Sequence, residues 1–359
     1  MTLTLQQPQT KIATPIQAVT RQPTGMMGLA FLGFCAVIFS SMAMRTPWGA
    51  NSNPLCTFSA MLDGSADAPF VTRVLLPKTL QGIGGLVSDG LRGDLDEALT
   101  PRHPATRVLN NLAEGWEREL AVEYLAYIMI TFGCMLGFAC AVRSLMTSLV
   151  RPPRCMETVV PLVAMACVPT FVRPYGMYIY DIPLLCLYTW ALALMSRQSW
   201  KPYFVVFFLA CLNKETTLLL IVVFCVHHWP QLKARQPLAM KLLGLHVLLY
   251  LGTRLPISWI YADSPTELVQ HHLVRNLFLF PHYTLGTVIL LMALVATVLR
   301  RWRSKPPFLR AALAPAIPLA VLGFIFGFFD ELRDYLELVP VVLLLILPTV
   351  CEYADVPLE

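Results

Sequence analysis

Long apolar segments alternate with short polar ones over most of the chain. Most of the apolar segments approach the roughly 20 residues that a helix needs to cross a bilayer. The pattern predicts an all-α fold: a polytopic transmembrane helical bundle with about ten membrane segments, some of them short or broken. The apolar segments occupy residues 26–44, 119–142, 156–172, 177–196, 202–212, 217–229, 242–260, 284–299, 311–329 and 336–351.

Composition supports a membrane protein and excludes two other classes. The chain is 56% hydrophobic and only 14% charged, whereas soluble domains carry roughly 25% charged residues. Its basic residues gather at the ends of apolar segments, which suits membrane orientation and predicts no nucleic-acid partner. The ten cysteines form no C-x-x-C pair, so neither a disulfide framework nor a zinc site is expected.

The same pattern divides the chain into three parts. Residues 1–25 are polar and rich in Gln, Thr and Pro, which predicts a disordered cytoplasmic tail. Residues 26–351 form the transmembrane helical domain, whose first segment we interpret as an uncleaved anchor rather than a signal peptide. Within it, residues 45–118 form an extracytoplasmic loop that bears amphipathic interfacial helices. Residues 352–359 form a second cytoplasmic tail.

The stretch 202–229 contains Lys214 and Glu215 at its middle. As one straight helix it would be about 42 Å long, too long for a hydrocarbon core of about 30 Å. Two short passes that meet at 213–216 place every short basic loop on one side, as the positive-inside rule requires. We therefore predict a break at this point, with Lys214 and Glu215 in an outward-facing cavity or, alternatively, merely closing a helical hairpin.

In this orientation the remaining unusual polar residues collect on the extracytoplasmic side. Asp181 lies in the first turns of a membrane helix, where it is either functional or a partner of the helix dipole. Five charges between Asp330 and Glu337 precede the last helix and favour a site over a surface ion pair. Arg73 and Lys78 lie in a stretch interpreted as an amphipathic helix, where snorkelling is the alternative to a site.

Three motifs resemble the GT-C class of polytopic glycosyltransferases, which take sugars from polyprenyl-phosphate carriers on the extracytoplasmic side. "PFVTRVLLP" in the first outer loop is similar to the P-x-x-x-R-x-L-x-P stretches of several bacterial members. "CLNKETTLLL" resembles the T-K-E or N-K-E junction between two short helices. "DELRDYLELVP" resembles the late E-x-R-x-[FY]…P motif of lipid-linked mannosyltransferases. One departure is the position of the first acidic residue, Asp63, well after the first helix.

The resemblance implies a carboxylate that deprotonates the acceptor hydroxyl and cations that bind the donor phosphate. The base candidates are Asp63, Asp67 and Asp181. Glu215 and Glu331 are expected to orient the cations or to contact sugar hydroxyls. The implied partners are a lipid-linked sugar donor, membrane lipids and an extracytoplasmic glycan or protein acceptor. No metal ligand is assigned, although use of a divalent metal stays open. The phosphate-binding candidates are Arg73, Arg173, Lys214 and Arg333.

Two other function classes compete with a transferase. A secondary transporter would also contain broken helices and intramembrane charges, but the two halves of the chain show no internal repeat. A non-enzymatic scaffold or assembly subunit of an envelope complex would use the loop at 45–118 for protein contact. The expected location is the same for all three, a multi-pass protein of a bacterial plasma membrane with a cytoplasmic N-terminus.

Overall fold

A computed structural model describes residues 26–45, 51, 53–100, 102–112, 115–172, 176–266, 271–278, 285–328 and 331–355. Helices and 3₁₀ turns are the regular secondary structure throughout these residues, which confirms the all-α prediction. The predicted disordered tail at 1–25 lies outside the described part of the chain.

The first apolar helix, α1 (Met26–Met44), is followed by short helices in the loop at 45–118. α3 buries Leu76, Leu80 and Gly84, a four-residue spacing that places them on one face, as expected for an amphipathic helix. The helix begins after Arg73, so the interpretation of Arg73 as a helical residue was wrong. The loop helices are α2 (Phe58–Asp63), α3 (Leu75–Leu86), α4 (Asp89–Ala98) and α5 (Pro104–Leu112).

Most of the remaining helices overlap the predicted apolar segments. The predicted segment 311–329 is divided between two short helices, and the short helices at 229–233 and 273–278 were not predicted. The helix predicted to end at residue 142 continues to Leu149, and Arg143 in this extension pairs with Glu157 of the next helix at 2.5 Å. These helices are α6 (Ala121–Leu149), α7 (Met156–Val172), α8 (Asp181–Ser196), α9 (Trp200–Asn213), α10 (Leu218–His227), α11 (Trp229–Lys233), α12 (Pro237–Ile260), α13 (Leu273–Phe278), α14 (Leu285–Leu299), α15 (Pro307–Ala312), α16 (Ala316–Ile325) and α17 (Val339–Tyr353).

Among the described residues, four helical runs are long and apolar enough to cross a membrane, which is consistent with a multi-pass membrane protein. Several further apolar helices are shorter, among them α1, α7, α8 and α9. The bundle is centred on α6 and α8, which pack against each other and against α1, α7 and α9. The long runs are Arg118–Leu149, Pro237–Ile260, Pro307–Ile325 and Leu332–Tyr353.

The helix break predicted within 202–229 is confirmed. α9 ends at Asn213, Lys214 is extended, and a 3₁₀ turn at Glu215–Thr217 leads into α10. The chain also reverses there, because Trp200 at the start of α9 lies 5.8 Å from Phe224 near the end of α10, measured between ring centres. The stretch is therefore a helical hairpin with Lys214 at its tip.

The bundle has two chemically different ends. At one, called the basic end, the turns near 144–154, 197–201, 227–235 and 300–310 come together. Arg197, for example, donates to the Ser144 carbonyl at 2.8 Å, and His227 packs against Phe308. At the other, called the cavity end, the loop at 45–118 covers the Lys214 tip.

Candidate functional site

A cavity of about 600 Å³ opens at the cavity end. Its wall includes side chains from four segments that are distant in sequence: the loop after α1, the turn before α8, the α9–α10 tip and the turn before α17. Because these segments meet only at this end of the bundle, a charged cluster forms that no single segment contains. The charged and tyrosine side chains among its lining residues are Arg73, Tyr178, Tyr180, Asp181, Lys214, Glu331, Arg333 and Asp334.

Arg73 is fixed by two kinds of contact. Its Nη2 donates to Glu215 Oε1 at 2.6 Å and its Nε to Oε2 at 3.3 Å, a bidentate pair. Its guanidinium also lies 4.2 Å from the centre of the Tyr180 ring. Burial lowers the pKa of Arg73, but attraction from Glu215, Tyr180 and Asp181 together outweighs this and raises it. Glu215 therefore orients a permanently charged group at the cavity wall.

Arg254, in the middle of α12, supports the same pair from behind. Its Nη2 lies 3.6 Å from Glu215 Oε2 and donates to Thr72 Oγ1 at 3.0 Å. Its Nη1 donates to the Thr72 carbonyl at 3.0 Å. Arg254 thus ties the helix hairpin to the loop that carries Arg73.

Lys214 is only 6% exposed. Its ammonium lies 3.9 Å from Glu337 Oε1, beyond hydrogen-bond distance, and 5.9 Å from the centre of the Tyr180 ring. The ammonium makes no hydrogen bond to the part of the chain that the structure describes. A buried ammonium that donates to no protein group is costly, so Lys214 is available to a ligand in the cavity.

Asp181 and Arg333 form the opposite wall. Asp181 Oδ2 accepts a hydrogen bond from the Tyr178 N–H at 2.8 Å and lies 4.0 Å from Arg333 Nε. The other oxygen, Oδ1, is buried and has no hydrogen-bond partner among the described residues. Arg333 is fixed by Glu331 and by the carbonyl of Gly176 at 3.2 Å. Gly176 has φ +81°, which favours glycine in this turn.

Glu331 is the titratable group at the edge of the cluster. Burial raises its pKa to about 7, against the opposing attraction of Arg333. The carboxylates of Asp334 and Asp181 raise it further, and Lys214 lowers it. Close to neutral pH, Glu331 therefore alternates between a neutral acid and an anion.

The site candidates named from the sequence do not all line this cavity. Arg73, Asp181, Lys214, Glu331 and Arg333 line it, and Glu215 binds Arg73 from behind.

The other three candidates lie elsewhere. Asp63 is exposed and accepts a hydrogen bond from the Ser65 N–H at 2.8 Å, which stabilises the turn after α2. Asp67 is buried outside the cavity lining, and its Oδ2 lacks a partner among the described residues. Arg173 lies outside the described residues.

Sequence reasoning missed Arg254 and undervalued the two tyrosines. A single arginine in the apolar run 242–260 is the signal that could have identified Arg254, because such a charge is costly in a membrane helix. Tyr178 and Tyr180 stack at 5.5 Å between ring centres and lie under Arg333 and Arg73, respectively. No sequence signal reports that pairing.

Among the residues that the structure describes, no group of three or more His, Cys, Asp or Glu side chains could hold a metal ion. Comparison of the chain with protein-family models, with curated proteins and with solved structures finds no match.

Proposed function

We propose that the chain is an integral membrane glycosyltransferase that moves a sugar from a polyprenyl-phosphate donor to an acceptor hydroxyl. The observation that carries the proposal is that Asp181, with an unpartnered buried oxygen, lines the same cavity as Lys214, Arg73 and Arg333. A carboxylate facing buried cations matches the two requirements of this transfer, a base and a phosphate site. The resemblance of three motifs to the GT-C class supports the same function.

The transfer step assigns each group a role. The acceptor oxygen attacks C1 of the donor sugar, and the bond between C1 and the phosphate oxygen breaks. The electron pair of that bond leaves with the polyprenyl phosphate, and the acceptor proton passes to Asp181 Oδ1. Negative charge grows on the phosphate in the transition state, where Lys214 and the guanidinium groups stabilise it.

The proposed transferase has a defined orientation in the membrane. The cavity end faces the extracytoplasmic side of a bacterial plasma membrane, and the basic end faces the cytoplasm, as the positive-inside rule requires. About ten segments cross or enter the membrane, the short ones pairing as α9 and α10 do. The donor's lipid chain then stays in the bilayer while its phosphate reaches Lys214.

Replacement of Asp181 by Asn tests the proposal. Because the amide keeps an acceptor for the Tyr178 N–H but cannot take a proton, turnover should fall about 10²- to 10⁴-fold. Donor affinity should be kept. Turnover is measured with purified polyprenyl-phosphate sugars, and donor affinity separately by equilibrium binding.

Asp63→Asn is the matched control, since Asp63 only stabilises an exposed turn, and its turnover should equal that of the wild type. Normal turnover of Asp181→Asn would show that Asp181 is not the base, and Asp67→Asn would then be examined. A wild-type protein that transfers from no lipid-linked donor would contradict the transferase and favour the scaffold subunit.

A further inference from the structure

The cavity has a second group of lining residues that the transfer step leaves unused. They are His272, just before α13, together with Phe326 and Phe328 after α16. We call these three residues the aromatic wall. None of them carries a full charge at neutral pH, unlike the cations that would bind the phosphate.

The aromatic wall is built by hydrogen bonds between two chain segments. The N–H of His272 donates to the Ile325 carbonyl at 2.9 Å. The side-chain amide of Asn276, which is buried, donates to the Phe324 carbonyl at 2.8 Å and to the Gly327 carbonyl at 2.9 Å. These bonds satisfy carbonyls at the end of α16 and fix α13 against it, so the wall has a defined position.

Ring contacts leave one face available. His272 packs on Phe328 with ring centres 4.3 Å apart, and the Arg275 guanidinium lies 4.1 Å from the centre of the same Phe328 ring. The Phe326 ring lies 5.1 Å from the neighbouring His271 ring, measured between ring centres, and Phe326 remains 44% exposed. Phe326 therefore presents an open aromatic face beside the cavity.

Polar side chains also line the cavity, beside the aromatic wall. Asp334 and Asn53 are both lining residues. Burial, helped by the positive charge of Arg275, lowers the pKa of His272, so its ring is neutral at pH 7 and offers one donor and one acceptor. This part of the cavity thus combines the apolar face of an aromatic ring with hydrogen-bond donors and hydrogen-bond acceptors.

We propose that the aromatic wall binds a pyranose ring, so that the acceptor is a glycan rather than a protein side chain. A pyranose has an apolar face of C–H groups that packs on an aromatic ring, and an edge of hydroxyls that both donate and accept hydrogen bonds. Phe326 supplies the ring, and His272, Asn53 and Asp334 supply the polar partners. The acceptor role rests on the proposed transferase function, but the carbohydrate binding does not.

Binding of free sugars tests the inference without any turnover. The probes are methyl glycosides of glucose, galactose and mannose, titrated by saturation-transfer NMR onto the full chain in lipid nanodiscs free of sugar detergents. At least one should bind, and Phe326→Leu should weaken it about three- to tenfold, because the apolar volume stays while the aromatic face is lost. Phe326→Tyr should keep the affinity. Leu322→Ala removes a similarly exposed side chain from α16, one turn before Phe326 and away from the lining, and should change nothing.

Two results would overturn the inference. One is that no glycoside binds while a serine-containing peptide does. The other is that Phe326→Leu and Leu322→Ala bind glycosides equally well.

Donor binding, measured in parallel, separates this inference from the proposed function. Phe326-dependent glycoside binding with no use of any lipid-linked donor would keep the carbohydrate site and remove the transferase. Transfer from a lipid-linked donor without glycoside binding would keep the transferase and remove the carbohydrate site.

Discussion

Two buried lysines, one at each end of the bundle, have opposite surroundings. Lys305 at the basic end is 2% exposed, and its ammonium donates to the carbonyls of Thr297, Val298 and Leu345 at 2.9, 2.7 and 2.6 Å. An ammonium has three donors, so the protein itself satisfies Lys305 completely. Lys214 at the cavity end is almost as buried, yet its ammonium makes no hydrogen bond to the described chain and only a 3.9 Å ion pair with Glu337.

The difference distinguishes Lys305, whose ammonium stabilises the fold, from Lys214, whose ammonium is able to bind a ligand in the cavity. Two of the carbonyls that Lys305 binds, those of Thr297 and Val298, belong to the last turn of α14. Carbonyls in the last turn of a helix have no N–H partner within that helix. Lys305 therefore closes a helix end and joins it to α17. Lys214 lies at a helix break, where the backbone turns away and the side chain reaches an open cavity. Burial alone therefore does not distinguish the two lysines, whereas the hydrogen bonds of their ammonium groups do.

The largest expected effect is on stability, from Lys305→Met. The change keeps the side-chain length but removes three hydrogen bonds from a charged donor, which should lower the free energy of unfolding by about 2 to 4 kcal/mol. Thermal unfolding of the purified protein measures this loss, and donor affinity should not change. Lys241→Met, an exposed lysine near the basic end, is the control and should unfold as the wild type does.

A smaller effect, on binding, is expected from Lys214→Met. Loss of the charged ammonium, which would donate hydrogen bonds to the phosphate, should weaken binding of the lipid-linked sugar about 10- to 100-fold. The unfolding temperature should fall less than in Lys305→Met, because the ammonium makes no hydrogen bond to the described chain and Glu337, its ion-pair partner at 3.9 Å, keeps a hydrogen bond from the Thr216 hydroxyl. If Lys214→Met instead unfolds as early as Lys305→Met and binds donor normally, the two lysines have the same structural role and the comparison fails.

The smallest effect is a pH dependence of donor binding. Glu331 has a raised pKa of about 7, so it is neutral at lower pH and becomes an anion beside Arg333 as the pH rises. That anion competes with the phosphate, and donor affinity should fall by up to about tenfold per pH unit above this pKa. The same shift makes the contribution of Glu331 to folding stability decrease as the pH rises from 4.5 towards 7.

Titrations of donor binding between about pH 6 and 8 would detect this change. In Glu331→Gln the side chain cannot ionise, so the profile should become flat. A profile that keeps its slope in this variant would assign the titration to another group.

Most of the long helices were predictable from the amino-acid sequence, whereas the short helices and several helix ends were not. Uninterrupted apolar runs must form helices in a membrane, because every backbone N–H and C=O there needs a partner within the chain. The break at Lys214 was predictable for the same kind of reason, since a single helix over 202–229 is too long for the bilayer. The excess of basic residues in short loops likewise identified one end of the bundle.

Which charges meet depends on how the helices pack. Arg73 and Glu215 are 142 residues apart, Arg254 and Thr72 are 182 apart, and Arg333 reaches the Gly176 carbonyl across 157 residues. Local pattern fixes where a side chain lies along a helix, but helix packing fixes which other helix it faces. The sequence favoured Asp63 over Asp181 as the base because of its place in the first outer loop, but packing puts Asp63 in an exposed turn and Asp181 in the cavity.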